Sequence, residues 1–178
     1  MFVWIAVDAS EALAQVRQEA LRLNKTLGLS KVAFTLPQHI SLKISFPVAD
    51  ELFDAAVDAA ETFLQRCRPF PVQVRGVERM GSILWLAMED NPVLTALHDG
   101  LDRMMEAQFS APQHPLDKRF RFHSTLFMDS DAARVAQMQE LLRTVDVPGA
   151  FVAEKFLIGC SAEGTAGTYR VIREISVG

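Results

Sequence analysis

The chain has 178 residues, of which 49% are hydrophobic and 22% charged, and its formal net charge is −4. These values are typical of a globular protein that forms one domain or one compact bilobal unit. The weak negative charge disfavours a long nonspecific contact with a polyanion, so any nucleic-acid contact is expected to be a local patch.

The N-terminal segment indicates a soluble, cytoplasmic protein. The apolar run at residues 2–7 is too short for a signal peptide and has no early positive charge. No run reaches the roughly 18 apolar residues of a membrane helix, so no membrane partner is expected. Cys67 and Cys160 are far apart in the sequence, which is consistent with free thiols in a reducing compartment. No feature indicates an obligate protein partner.

Hydrophobic periodicity predicts the secondary structure in chain order. The predicted strands are residues 2–7, 38–47, 72–79, 82–89, 119–128, 150–160 and 168–176. The predicted helices are residues 11–28, 50–67, about 92–109 and 131–144, with Pro92 at the first position of the third helix. Residues 110–118 are predicted to form a polar loop.

This order predicts an α+β fold with an internal repeat. After an initial βα unit, the blocks βαββα and βαββ share a βαββ arrangement. We expect residues 1–178 to form a single bilobal domain with pseudo-two-fold symmetry. Two mainly antiparallel sheets, flanked by helices, would then surround a central groove.

A histidine stands two residues before a hydroxyl on the first strand of each repeated block. The motifs are His39-Ile40-Ser41-Leu42 and His123-Ser124-Thr125-Leu126. Strand side chains alternate between faces, so each histidine shares a face with its hydroxyl residue. Two such pairs at equivalent places predict one composite site that holds a small anion.

The chemistry of this pattern suits hydrolysis of a cyclic phosphodiester. One imidazole can take a proton from water while the other protonates the departing sugar oxygen. Ser41 and Thr125 can donate hydrogen bonds to the negatively charged transition state. The scheme requires no metal and no cofactor.

Positive charge is predicted beside both motifs. Lys43 follows Ser41 by two residues and would lie on the same face. Alternation likewise places Arg119 and Arg121 on the face of His123, and Arg121 is the favoured phosphate ligand because it is nearer. His98 shares a helical face with leucines and is expected to be packed.

Three other interpretations remain open. Two histidines can bind zinc, although neither motif contains an acidic or cysteine third ligand at suitable spacing. The chain can instead be a nucleotide- or RNA-binding module without turnover. It can also be a 2′-5′ RNA ligase that runs the same chemistry in reverse.

At the two motifs, the sequence resembles the two-histidine phosphoesterase superfamily, which includes 2′-5′ RNA ligase-like proteins and RNA 2′,3′-cyclic phosphodiesterases. Both motifs match the pattern of a histidine, a variable residue and Thr or Ser. Ser124 is polar where an apolar residue is common. The segment Phe120-Arg121-Phe122-His123 is similar to the Phe-Arg-Pro-His stretch of ligase-like members, with Phe122 in place of proline.

The resemblance implies a bilobal fold and metal-independent cleavage of cyclic phosphodiesters or 2′-5′ linkages. By motif position, His39 and His123 would be the acid–base pair, with either one as the base. Ser41 and Thr125 would bind the phosphate. A nucleotide or an RNA end is the expected substrate.

Overall fold

The computed structural model describes residues 1–28, 31–115 and 120–178. Within these ranges it contains eight strands and four helices. The strands are β1 (Phe2–Asp8), β2 (His39–Pro47), β3 (Phe70–Met80), β4 (Ile83–Met88), β5 (His123–Met128), β6 (Ala150–Ala153), β7 (Lys155–Ser161) and β8 (Arg170–Ser176). The helices are α1 (Ala14–Leu27), α2 (Phe53–Leu64), α3 (Pro92–Phe109) and α4 (Ala132–Leu142).

The strands form two antiparallel sheets of four strands each, which confirms the predicted α+β class. The first sheet has the order β2-β1-β7-β8, and we call it the His39 sheet. The second has the order β5-β4-β3-β6, and we call it the His123 sheet. β2 and β5, which carry the two motifs, therefore occupy the same edge position in their respective sheets.

The repeat differs from the predicted blocks in how its strands are shared. The equivalent units are β1-α1-β2-α2-β3 and β4-α3-β5-α4-β7, and the last strand of each joins the sheet of the other unit. The predicted single strand at 150–160 is two strands, because β6 pairs with β3 whereas β7 pairs with β1. Glu154 and Lys155 are both exposed and interrupt the alternation where the chain changes sheets.

Helix ends follow local capping chemistry. The Asn91 side chain accepts hydrogen bonds from the backbone N–H groups of Val93 and Leu94, and Pro92 occupies the first turn as predicted. α1 begins at Ala14, later than predicted, because the Asp8 carboxylate instead accepts hydrogen bonds from the backbone N–H and hydroxyl of Ser10.

One hydrophobic core joins both sheets to the helices. Its fully buried members come from every layer and include Ile5, Leu13, Ile40, Leu42, Leu64, Leu84, Leu101, Phe127 and Phe156. Each sheet uses one face for this core, so the other face is available to form a site. Cys67 and Cys160 are free thiols. No helix among the described residues is both long and apolar enough to cross a membrane.

Candidate active site

The two histidine motifs meet where the start of β2 contacts β5. The Gln38 side chain, immediately before His39, donates hydrogen bonds to the hydroxyl of Ser124 and to the carbonyl of Thr125, each at 2.7 Å. These bonds connect residues 86 and 87 positions apart in the sequence. The predicted pairing of the motifs in space is therefore present, and a buried amide holds it.

Both imidazole rings are oriented by the same hydrogen bond. His39 Nδ1 lies 2.8 Å from the carbonyl oxygen of Pro37, and His123 Nδ1 lies 2.7 Å from that of Arg121. A carbonyl oxygen only accepts, so Nδ1 carries the proton in each ring. Nε2 is thus the nitrogen left to act as a base when the ring is neutral.

The surroundings favour the neutral form of both rings. Burial, together with the nearby charges of His123 and Arg17, lowers the pKa of His39 to about 4, against the opposing bond to Pro37 and the opposing charge of Asp8. Burial also lowers the pKa of His123, against the opposing bond to Arg121. A positive charge on His123 therefore disfavours a positive charge on His39. A bound anion would raise both pKa values.

A tryptophan lies against each histidine. Trp4 meets the ring of His39 edge-on with centroids 4.5 Å apart, and Trp85 lies against His123 at 4.1 Å. The Trp4 indole also donates a hydrogen bond to the Ser41 hydroxyl at 3.2 Å. Ser41 therefore accepts from the protein and keeps its own proton to donate to a ligand.

Thr125 occupies the place in β5 that corresponds to Ser41 in β2. It pairs with Trp85 across the β4–β5 ladder, just as Ser41 pairs with Ala6 of β1. The side chain is half-buried, and its hydroxyl makes no hydrogen bond to another described residue. This hydroxyl is thus available to a ligand.

Lys43 lies on the opposite face from the predicted one. Ser41 pairs with Ala6 but Lys43 pairs with Ile5, so Leu42 and Lys43 share one position of the ladder as a β-bulge. The extra residue turns Lys43 into the core, where it is 1% exposed and forms an ion pair with Asp102 of α3. The prediction that Lys43 flanks the phosphate site is wrong.

Arg121 lies beside the site, but not through strand alternation. β5 begins at His123, so the predicted strand at 119–128 starts later than expected, and Arg119 lies outside the described residues. The Arg121 carbonyl orients His123, and its exposed side chain borders a cavity next to that ring. Among the described residues its guanidinium has no carboxylate partner.

Gln38 and Arg17 support the site, and neither is predicted from the sequence. Gln38 is 2% exposed, and its carbonyl oxygen accepts a hydrogen bond from Arg17 at 3.0 Å. Arg17 also donates to the backbone carbonyls of Phe34 and Leu36. The polar Ser124, unusual at its motif position, is fully buried and serves as a partner of Gln38. A glutamine beside a histidine gives no sequence signal of burial.

A cavity of about 670 Å³ extends from His123 across the His123 sheet and does not include His39. Its wall combines aromatic rings with charged and amide side chains, among them Arg75, Glu78, Trp85, Glu89, Asp90, Phe120 and Arg121. Within the described ranges, no three His, Cys, Asp or Glu side chains converge as a metal-binding group would. The candidate site brings together two imidazoles, two hydroxyl groups and an adjoining cavity.

Comparisons with known proteins fit this geometry. A family model described as the 2′-5′ RNA ligase superfamily matches residues 19–158. TT0787 of Thermus thermophilus has a TM-score of 0.68 at 20% identity, covering 99% of this chain and 97% of that one. E. coli LigT complexed with 3′-AMP has a TM-score of 0.56 at 17% identity, covering 98% and 96%. E. coli LigT complexed with NADP+ has a TM-score of 0.59 at 18% identity, with the same coverage. No curated protein sequence gives a significant match.

The two antiparallel sheets and their paired His-x-hydroxyl strands are those of the two-histidine phosphoesterase class. Because the family model covers more than half of the chain, the chain belongs to the 2′-5′ RNA ligase superfamily.

Proposed function

We propose that this protein hydrolyses a 2′,3′-cyclic phosphate or a related nucleotide ester by metal-independent acid–base catalysis. The observation that carries the proposal is the matched orientation of His39 and His123. Each ring holds its Nδ1 proton on a carbonyl two residues earlier and leaves Nε2 for the substrate. The phosphate would bind between the two Nε2 atoms.

The reaction follows from the donors around that position. One neutral Nε2 accepts a proton from the water that attacks phosphorus, and the other imidazole, protonated by the bound anion's effect on its pKa, protonates the leaving ribose oxygen. The hydroxyl groups of Ser41 and Thr125 donate to the non-bridging oxygens, on which negative charge increases in the transition state. The product is a nucleoside monophosphate.

The direct test is product formation from nucleoside 2′,3′-cyclic phosphates, followed by chromatography. The unmodified protein is expected to release the monophosphate, and activity should survive EDTA. His39→Gln and His123→Gln should each reduce kcat by about 10²–10⁴-fold, the usual contribution of a general acid or base. Unchanged turnover in both variants would overturn the proposal, provided that circular dichroism shows both to be folded.

A matched pair of serine variants tests the phosphate-binding role. Ser41→Ala removes the hydroxyl that accepts from Trp4, and about a tenfold loss of kcat/KM is expected, equal to roughly 1.4 kcal/mol. Ser45→Ala is the control, because Ser45 lies on the same strand and its hydroxyl contacts Tyr169 instead. Equal losses in the two variants would argue against a specific role for Ser41.

The description of the family gives specific support to a second function, 2′-5′ RNA ligation. Incubation with an RNA 2′,3′-cyclic phosphate and a second RNA with a 5′-hydroxyl distinguishes the two directions, because only ligation yields a longer product. Tight binding of the cyclic nucleotide without either product would favour a binding module.

A further inference from the structure

Helix α3 contacts the β2 bulge at two points that lie one helical turn apart. Asp102 forms the ion pair with Lys43. His98, four residues earlier on the helix, donates a hydrogen bond from Nδ1 to the carbonyl oxygen of Leu42 at 2.6 Å. Residues four apart on a helix lie on the same face. One face of α3 therefore contacts both residues of the bulge, one through its backbone and the other through its side chain.

The bulge lies directly after the first motif. It begins at Leu42, the residue that follows Ser41. An extra residue in one strand interrupts the ladder and changes the face on which side chains lie beyond it. His39 and Ser41, before the bulge, face the site, whereas Lys43 is turned into the core. A contact that fixes the bulge therefore also fixes the direction in which the first motif points relative to the rest of β2.

The hydrogen bond to the bulge is made in the interior of the protein. Leu42 is fully buried, and His98 is 4% exposed, as expected for a packed histidine. A bulge leaves its extra residue outside the regular pairing of the ladder, and a buried carbonyl group without a donor is destabilising. The Nδ1–H group of His98 supplies a donor at this point of β2.

The ring of His98 contacts the residues that lead into the second motif. It stacks on Phe120 with ring centroids 4.3 Å apart and meets Phe122 edge-on at 6.2 Å. Phe122 directly precedes His123 in the sequence. Between the two phenylalanines lies Arg121, whose carbonyl oxygen orients the His123 imidazole. One buried ring therefore holds the backbone after the first motif and packs against the segment before the second.

The two motifs are thus connected at two places. Gln38, directly before His39, donates hydrogen bonds to the second motif. His98 connects the residue that follows Ser41 to the residue that precedes His123. One connection between two strands still allows them to pivot about it, whereas two connections fix their relative orientation.

We propose that His98 is a positioning residue that holds the two motifs in the relative orientation needed to bind one phosphate between them; this role rests on the proposed function. His98 acts through Leu42 and Phe122, because its ring is buried between them and the helix. A misplacement of reacting groups by about 1 Å costs on the order of 10²-fold in rate. Loss of the hydrogen bond from His98 should therefore lower kcat more than it changes KM.

Two variants separate the hydrogen bond of His98 from its ring contacts. His98→Phe keeps an aromatic ring beside Phe120 but has no donor for the Leu42 carbonyl. His98→Asn places its amide nitrogen close to the position of Nδ1 and can still donate to that carbonyl. With a nucleoside 2′,3′-cyclic phosphate, His98→Phe should lower kcat about tenfold and leave KM within about twofold. His98→Asn should lower kcat less than about threefold.

Leu101→Ala is the control for lost stability. Leu101 is fully buried on the same helix, and its side chain carries no donor for the Leu42 carbonyl. Its truncation should lower the unfolding midpoint but leave kcat within about twofold. All variants are compared at a temperature at which circular dichroism shows them to be folded.

A second readout does not depend on turnover. Mainly through burial, the pKa of His39 is lowered to about 4, and NMR titration of its imidazole protons measures it directly. A shift of β2 that exposes this ring should raise the pKa in His98→Phe by about half a pH unit or more. In His98→Asn and in Leu101→Ala the pKa of His39 should stay close to that of the unmodified protein.

An unchanged kcat in His98→Phe, or an equal loss of kcat in Leu101→Ala, would overturn the positioning role. If the unmodified protein turns over no cyclic nucleotide, the proposed function fails, and the NMR titration then tests His98 alone. A raised pKa of His39 in His98→Phe, together with a restored value in His98→Asn, would support the role. An unchanged pKa of His39 in His98→Phe would reject it.

Discussion

The His39 sheet and the His123 sheet carry equivalent chemical groups in unequal surroundings. Each offers a histidine fixed through Nδ1, a hydroxyl two residues later and a tryptophan against the imidazole. Among the described residues, the His123 sheet adds a cavity of about 670 Å³ beside its motif, whereas Trp4 and Tyr169 pack over the corresponding surface of the His39 sheet. The histidine and the hydroxyl group, present on both sheets, are the groups that acid–base catalysis requires twice. The groups found on one sheet alone can orient a substrate. The experiments below test this difference between the two sheets.

The largest expected effect separates the two histidines by the leaving group. In a cyclic phosphorothiolate the bridging sulfur leaves as a thiolate, which needs no proton because a thiol has a pKa of about 8.5. On this substrate, alanine in place of the histidine that acts as the general acid should recover most of a loss of about 10³-fold seen with the oxygen substrate, whereas alanine in place of the general base should not. Rates of thiol release measured with a thiol reagent provide the readout.

Recovery in only one of the variants His39→Ala and His123→Ala would identify that histidine as the general acid. Equal recovery in both variants would show that the substrate binds in both orientations. Recovery in neither variant would contradict protonation of the leaving oxygen by an imidazole.

A second difference between the sheets is the bulge that turns Lys43 into the core. Lys43→Ala would leave the buried Asp102 carboxylate without its cation, and a loss of about 3–5 kcal/mol in the free energy of unfolding is expected. The double variant Lys43→Met with Asp102→Leu should recover most of this stability, because it removes both members of the ion pair. Urea unfolding monitored by tryptophan fluorescence measures both.

The same variants test the sequence-based interpretation of Lys43 as a phosphate ligand. The folded double variant should keep kcat/KM within about threefold of the unmodified protein. A selective loss of activity in a stable double variant would return Lys43 to the site.

The motif residues could be predicted from the sequence because they depend only on strand periodicity. His39 with Ser41, and His123 with Thr125, need no information beyond alternation along one strand. Lys43 could not be placed, since one extra residue in a ladder reverses every side chain beyond it, and Leu42-Lys43 carries no bulge signal. A local sequence pattern therefore predicts which side chains could react more reliably than it predicts the face of the sheet on which each side chain lies.

Contacts between residues far apart in the sequence could not be predicted, for a different reason. Gln38 links the two motifs across 86 residues, and a glutamine in a sequence is normally taken as a surface side chain. The exchange of β3 and β7 between the sheets likewise depends on pairings that hydrophobic patterning does not specify. By contrast, the sequence does indicate the division of the predicted strand at 150–160, because the adjacent charged residues Glu154 and Lys155 interrupt its alternation.

Gln38 gives an intermediate effect on both activity and stability. Gln38→Ala leaves the Ser124 hydroxyl and the Thr125 carbonyl without their partner at the junction of the motifs. We expect a loss of about 1–3 kcal/mol in unfolding free energy and a lower kcat, with KM less affected. Ser124→Ala is the control, because it retains the bond from Gln38 to Thr125. An equal effect of both variants on kcat would show that the amide does not position the two strands.

The last comparison of the two sheets concerns the pH dependence of stability. The folded-state pKa of His39 is about 4, against about 6.5 for an exposed histidine, so the unfolded chain binds a proton before the folded one does as the pH falls. Stability attributable to His39 is therefore complete above about pH 6.5 and decreases as the pH falls towards about 4. His39→Gln should make unfolding free energy less dependent on pH across this window, and His123→Gln should do so less strongly, since burial alone lowers its pKa. Urea unfolding at intervals of half a pH unit measures the pH dependence of the unfolding free energy in both variants. An equal pH dependence would mean that the surroundings of the two imidazoles lower their pKa values to the same extent.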